Sequence, residues 1–350
     1  MVLVFIVGNW QLSEYALTPG NATPVAPLVK IRGVATDPHN DKIMLVDVYL
    51  SNLNVFQWAR LHFESHVQFV PASELVDPGI PDGELGPQGF QEMNDSKQAA
   101  EVAAFRALGW KVPSVATGTN ITGVVSPSPA YTAGLHVADQ IVAVDGQAVR
   151  SACGLIKLMH NIKPNTLVHL SVQRAQITRA GDISLRKANT VNITTATPPS
   201  YLGSTGCADV NGPSRSWLGI TVENGDSYAL PAKVSVNTAN IGGPSAGLAM
   251  TLTIIDKLSA GSLTGHRVIA ATGTMAPNGV VGDVGGVAEK TVAVQRAGAS
   301  IFFVPDVEVA TARSVAGPGL KIVGVRSLSQ VLSDLHRLGG ASPKPLTKPH

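Results

Sequence analysis

Residues 233–258, KVSVNTANIGGPSAGLAMTLTIIDKL, leave the backbone few choices. A strand-like run, KVSV, leads into Gly242, Gly243 and Pro244, then a lone Ser245, then small apolar residues that read only as a helix. The junction is strand, tight turn, helix, with a hydroxyl at the head of the helix. Taken alone, Ser245 reads as an N-cap accepting a hydrogen bond from a free N–H of the first turn. The alternative is a nucleophile held on the turn at the positive end of the helix.

At 350 residues the chain exceeds one ordinary domain, and two or three are expected. It is 44% hydrophobic and 14% charged, with 35 Gly and 23 Pro, which describes a globular, turn-rich protein. A net charge of +2 without any Lys/Arg cluster argues against a nucleic-acid partner. Cys153 and Cys207 are too few and too far apart for a CxxC metal or redox site; they could pair outside the cytosol, but the expectation is two surface or core thiols. No HExxH and no GxxxxGK[ST] occurs, so no metal, no cofactor and no ATPase is expected in this chain.

The chain starts MVLVFIVGNW, an apolar run too short to span a bilayer, which needs about 20 apolar residues. It lacks the basic n-region of a signal peptide. With a Trp at its outer end, it reads as the tail of a membrane anchor rather than a buried first strand. Residues 1–27 are thus assigned to an anchor remnant and an extended segment, and 28–112 to an α/β segment containing the runs IMLVDVYL and HVQFV. A loop is expected over residues 71–89. A helix follows in NDSKQAAEVAAFRALGW, capped by Asp95 or Ser96 and stopped by Gly109. Residues 113–195 form a second unit, 196–216 a linker of turn formers, 217–338 a third unit, and 339–350 a flexible tail.

The middle unit reads as short strands and two helices, with a hairpin signal at Asp145-Gly146. Ser128-Pro129-Ala130, Ala133-Gly134-Leu135 and Asp145-Gly146, in that order, resemble a PDZ domain of the kind appended to proteases. Ala138-Asp139 stands where that family has Gly-Asp. The resemblance implies capture of an extended peptide, including C-terminal peptides, by addition to a sheet edge.

In the third unit, a helix over 246–260 with Leu248, Leu252, Ile255 and Leu258 on its apolar face is followed by the strand and Gly-rich hairpin of HRVIAATGTMAPNGVVGDVGG. Next comes a helix started by Gly285-Gly286, and then the strand SIFFVPD. Lys290 lies in the first turns of that second helix, where a cation is electrostatically disfavoured. Buried there, it would lose proton affinity, and a neutral amine is a competent base for a serine hydroxyl. The plain alternative is a surface lysine beside Glu289.

Together these motifs resemble the Lon proteolytic domain, an α+β domain with a Ser–Lys dyad. Gly243-Pro244-Ser245-Ala246-Gly247 matches its nucleophile motif, and Gly285-Gly286-Val287-Ala288-Glu289-Lys290 its lysine helix. Thr272-Gly273 matches the strand end whose Thr supports the dyad. The resemblance implies Ser245 as nucleophile and Lys290 as base. It further implies Thr272 bonded to Lys290, and oxyanion donors on the turn around Gly243, Pro244 and Ala246, with Ser245's own N–H foremost. The acid that the family often carries three residues before the serine is Gly242 here.

Tyr15–Gly20 (YALTPG) and Met93–Ala100 (MNDSKQAA) extend the likeness to membrane-anchored PDZ–Lon proteases of bacteria, the YlbL-like group. The expected fold class is accordingly α+β and multidomain, with an anchor remnant, an α/β segment, a PDZ domain and a C-terminal Lon-type domain. The expected activity is ATP-independent serine endopeptidase cleavage of protein or peptide substrates at the cell membrane. A single N-terminal pass would place the catalytic domain outside the cytoplasm; a homo-oligomer is left open. Two rivals remain: a catalytically inactive PDZ/Lon-like scaffold, and an α/β-hydrolase with Asp306 and His336 serving a G-x-S-x-G serine.

Overall fold

The computed structural model describes residues 10–38, 41–75, 79–178, 181–200, 207 and 215–347. Apart from Trp10, the apolar run read as an anchor remnant lies outside the described residues. Among those described, no helix is long and apolar enough to cross a membrane. The chain forms two compact units. One comprises residues 1–75, 95–112 and 230–350, the other 76–94 and 113–229.

The first unit is built on a six-stranded sheet in the order Lys321–Val325, Ile301–Pro305, Ile269–Ala271, Ile43–Asn54, Gln11–Pro24, Gln68–Pro71. The first four strands run parallel, and the last two pair antiparallel. Residues 28–112 therefore do not stand apart as a segment of their own: Ile43–Asn54 is a central strand of the same sheet as Ile269–Ala271. The continuous apolar run Ile43–Val46 suits that place, since parallel strands are covered on both faces. Met44 and Val46 pack with Ala270, Val294, Phe302 and Val304 in one apolar cluster.

The helix Gly247–Leu258 is buried at every residue except Lys257, well beyond the one apolar face expected. Its Thr251 and Thr253 hydroxyls are satisfied inside it, donating to the carbonyls of Gly247 (2.8 Å) and Ala249 (2.9 Å).

Two expectations fail here. The helix expected from Asp95 or Ser96 begins at Leu85 and ends at Ala107, so both residues lie inside it and the loop before it is shorter. Ser96 resembles a cap in sequence, but its buried hydroxyl donates instead to the Pro244 carbonyl, 2.9 Å away and 148 residues along the chain. Gly109, at φ +89°, does follow the helix end. The tail is not flexible over its described part: Ala341 donates to Ser262, Ala260 to the Lys344 carbonyl, and Leu346 to Leu258, pinning it to the loop after the Ser245 helix.

The second unit has a sheet in the order Asn189–Thr194, Leu167–Gln173, Gln140–Val144, Ser114–Val124, Ile220–Tyr228. Ile220–Tyr228, assigned from sequence to the third unit, pairs along Ser114–Val124 and completes this sheet. Residues ahead of 113 join it too: the Ser126 N–H donates to the Gly79 carbonyl at 2.6 Å. Asp145 and Gly146 turn the hairpin with φ of 47° and 78°, as a two-residue turn of this kind requires. Ala138 holds φ +72°, a conformation glycine adopts without strain. Beside it the buried Asp139 accepts from the His136 and Ala175 N–H groups and from the Arg174 guanidinium. Cys153 and Cys207 are joined in a disulfide, Cα to Cα 5.6 Å, which corrects the expectation of two thiols: the fold brings together residues 54 apart in sequence.

Candidate active site

The turn at Gly243–Ala246 is held from three sides. Gly243 has φ +83° with open space around its Cα, so its glycine is needed for conformation and not for clearance. Ser96 binds the Pro244 carbonyl from the long helix. The Ser245 carbonyl accepts two hydrogen bonds, from the Gly273 N–H (3.0 Å) and the Thr272 hydroxyl (3.2 Å), while the Leu248 N–H donates to the Gly273 carbonyl (3.1 Å). Gly247 is glycine for clearance: a Cβ there would fall 2.8 Å from the Met275 nitrogen and 3.0 Å from Ser96 Oγ.

The N-cap of the helix is Ala246, so the Ser245 side chain is not used as the cap. The residue is half-buried. Among the described residues, the backbone N–H groups of Ser245 and Ala246 have no protein acceptor. Pro244 has no N–H to offer, which removes it from the expected donors.

Lys290 enters on the helix Val287–Arg296, whose N-cap is Gly286 in the left-handed region at φ +66°. Only 3% of Lys290 is exposed, which excludes the surface-lysine alternative. Burial pushes its pKa down from 10.5 to about 8, opposed by the negative charges of Glu308, Asp47 and Glu289. Glu289 and Glu308 are themselves pushed up, chiefly by burial, and Lys290 acts against that in both. Glu308 Oε1 accepts from the Val284 N–H at 2.6 Å, and the second carboxylate oxygens of Glu308 and Glu289 are buried without a hydrogen-bond partner.

Ser245 and Lys290 line one cleft of about 410 Å³, with Asp47, Gly242, Ile241 and Ala246 in its wall. Thr272 is placed differently from expectation. Its hydroxyl serves the Ser245 carbonyl and has no bond to Lys290, because the strand Ile269–Ala271 delivers it beneath the turn. The hydrolase alternative lacks its partners: Asp306 is paired with Arg326, and His336 Nδ1 faces the Gly340 carbonyl and Ser342 Oγ at 3.2 Å. Neither lines the cleft. Sequence reasoning missed Asp47 and Glu308. The only signal was an acid within the largely apolar run IMLVDVYL and another just past the strand Ile301–Pro305.

Residues 230–336 match the Lon protease (S16) C-terminal proteolytic domain, and residues 103–194 match the PDZ domain. The chain is 29% identical over 126 residues to the Lon protease of Rickettsia conorii, an alignment covering 35% of this chain and 16% of that protein. With the Lon protease of Rickettsia felis it shares 28% over 118 residues, 33% of this chain and 15% of the relative. The alignments thus take in well under two thirds of these relatives' length. A solved PDZ domain of an SdrC-like protein from Listeria monocytogenes aligns at 22% identity, covering 30% of this chain and 87% of that one, with a TM-score of 0.22. The chain therefore carries a PDZ domain and a Lon-type proteolytic domain in an α+β, multidomain arrangement.

Proposed function

We propose that the protein is a serine endopeptidase in which Ser245 attacks the peptide carbonyl and Lys290 is the general base. The observation that carries this is the one cleft lined both by a serine on a braced turn and by a buried lysine whose pKa is lowered to about 8. The neutral amine takes the Ser245 proton as Oγ bonds to the carbonyl carbon. The resulting ammonium returns that proton to the leaving amine, leaving an acyl-enzyme that water hydrolyses. The unengaged N–H groups of Ser245 and Ala246 point to the donors for the oxyanion.

No nucleotide enters this reading, because the chain has no phosphate loop. The PDZ domain would supply peptide capture. Ile220–Tyr228 is an edge strand whose one partner among the described strands is Ser114–Val124. The helix Ala152–His160 is tied to it through the Ala152 N–H and Asn224 Oδ1 at 2.8 Å. The disulfide favours an oxidising compartment and so an extracytoplasmic location.

The test is cleavage of an unfolded protein by the purified chain, with and without ATP and magnesium, against Ser245→Ala. Equal cleavage with and without nucleotide, lost in the variant, is the expected result. Retained cleavage in the variant removes the assignment; strong ATP stimulation removes the nucleotide-free part.

A further inference from the structure

The position three before Ser245 is Gly242, which brings no charge to the cleft, but the fold supplies a carboxylate from nearly two hundred residues away. Asp47 lies in the strand Ile43–Asn54 and in the same cleft wall as Ser245 and Lys290. Its setting is specific. The neighbouring strand Gln11–Pro24 slips register between Pro19 and Ala22, and this bulge turns the Asn21 N–H onto Asp47 Oδ1 at 2.7 Å. A Cβ at Gly20 would fall well inside contact distance of Asp47 Oδ1 and 2.7 Å from the Asp47 carbonyl oxygen, so only glycine leaves room for this arrangement. The Asn21 side chain in turn donates to the Tyr49 hydroxyl at 2.6 Å. The Tyr15–Gly20 run singled out in the sequence thus ends on the residue that clears the space for a carboxylate. On its other side the strand meets the lysine helix: Val48 Cγ1 lies 3.1 Å from where a Gly286 Cβ would be, seating the start of that helix one residue from Asp47.

We propose that Asp47 is a positioning residue for Lys290, its negative charge in the cleft wall drawing the amine toward the cleft and stabilising the ammonium that forms as Ser245 loses its proton. This rests on the Ser245–Lys290 reading above. Three carboxylates act on Lys290: Glu308 from the turn Asp306–Glu308, Asp47 from the strand, and Glu289 from its own helix. Behind them, Asp283 acts on Glu308, and His66 on Glu289. Glu308 and Asp47 each give one oxygen to a backbone N–H, of Val284 and Asn21, but neither Glu308 nor Glu289 is in the cleft wall; Asp47 is. A negative charge there favours the ammonium, so removing it lowers the Lys290 pKa further.

The experiment is the pH profile of kcat/KM on an unfolded protein substrate for the full chain and its Asp47→Asn variant, over roughly pH 6 to 10. The expected result is an acid limb moved down by about 0.5–1 pH unit, with a plateau about tenfold lower. An unmoved limb overturns the proposal. A second measurement needs no Asp47 variant: in Ser245→Ala protein, the Asp47 ¹³Cγ resonance should carry an inflection where Lys290 titrates, and its absence also overturns the proposal. Ser245→Ala protein that still cuts removes the dyad reading and Asp47's role with it; inert Ser245→Ala protein with an unmoved limb removes Asp47's role alone.

Discussion

The two units bury charge in opposite ways. In the second unit the buried Asp139 is fully engaged, by two backbone N–H groups and Arg174, and the core around it is aliphatic: Ile121, Leu135, Ile141, Leu155, Val168 and Leu170. In the first unit Lys290 is buried with its proton affinity lowered, and Glu289 and Glu308 each keep a buried oxygen unpaired. A fully satisfied buried charge stabilises one structure. A buried amine that readily loses its proton costs stability and supplies reactivity, because burial without full compensation disfavours the charged form. On the proposed reading the chemistry falls to the first unit, while the second keeps its buried charge fully satisfied.

The sharpest way to break that contrast is Ser245→Ala, which should reduce cleavage roughly 10³-fold or more. Thermal unfolding of the variant should change little, since the side chain does not cap its helix. Next comes the lysine. Lys290→Arg should be as damaging as Lys290→Met, because a guanidinium keeps its proton at any working pH. Wild-type activity should rise with pH and level off above about 8, where the amine is neutral. A Lys290→Arg enzyme with most of its activity would show that charge, not basicity, is what the position supplies. The same shift has a stability consequence. The folded lysine releases its proton below the unfolded value of 10.5, so between about 8 and 10.5 the unfolded chain binds more protons and Lys290's contribution to stability rises with pH. Denaturant titrations of wild type and Lys290→Met across that window should diverge in slope.

The scaffold side is tested by Asp139→Ala, which strands the His136 and Ala175 N–H groups and leaves Arg174, 28% exposed, with the Gly134 carbonyl; it should destabilise the second unit by about 2–4 kcal/mol. Calorimetry of the full chain should show that transition falling while the transition of the first unit stays. Replacing Cys153 and Cys207 by Ser releases a 54-residue loop and should cost about 2–4 kcal/mol, in the same transition. Smallest is Thr272→Val, which removes one of two donors to the Ser245 carbonyl. It should cost about 1 kcal/mol and a modest loss of rate. If Thr272→Val instead moved the pH profile, the hydroxyl would be acting on Lys290 after all.

Much of this site was legible in sequence because its turns are local. Gly243-Pro244-Ser245 and Gly285-Gly286 declare a turn and a helix start through backbone chemistry confined to a few residues, and the helices and strands around them follow from periodicity. Asp145-Gly146 declares its hairpin for the same reason. Ser96 misled, since a serine near a polar run is a good cap in isolation; its hydroxyl is claimed by the carbonyl of Pro244, which no local pattern contains. The division of the chain misled in the same way: hydrogen bonding places Ile43–Asn54 beside Ile269–Ala271 and Ile220–Tyr228 beside Ser114–Val124.

What the sequence alone determined is which residue types stand at which turns, and through them the serine and the lysine. What only the tertiary structure decided is their surroundings: that Lys290 is buried under the charges of Glu308, Asp47 and Glu289, that the Thr272 hydroxyl bonds the turn and not the amine, and that Cys153 is joined to Cys207. Proton affinity and pairing are set by desolvation and by nearby charges, and those neighbours come from 18 residues away for Glu308 and 243 for Asp47, separations that no local pattern spans.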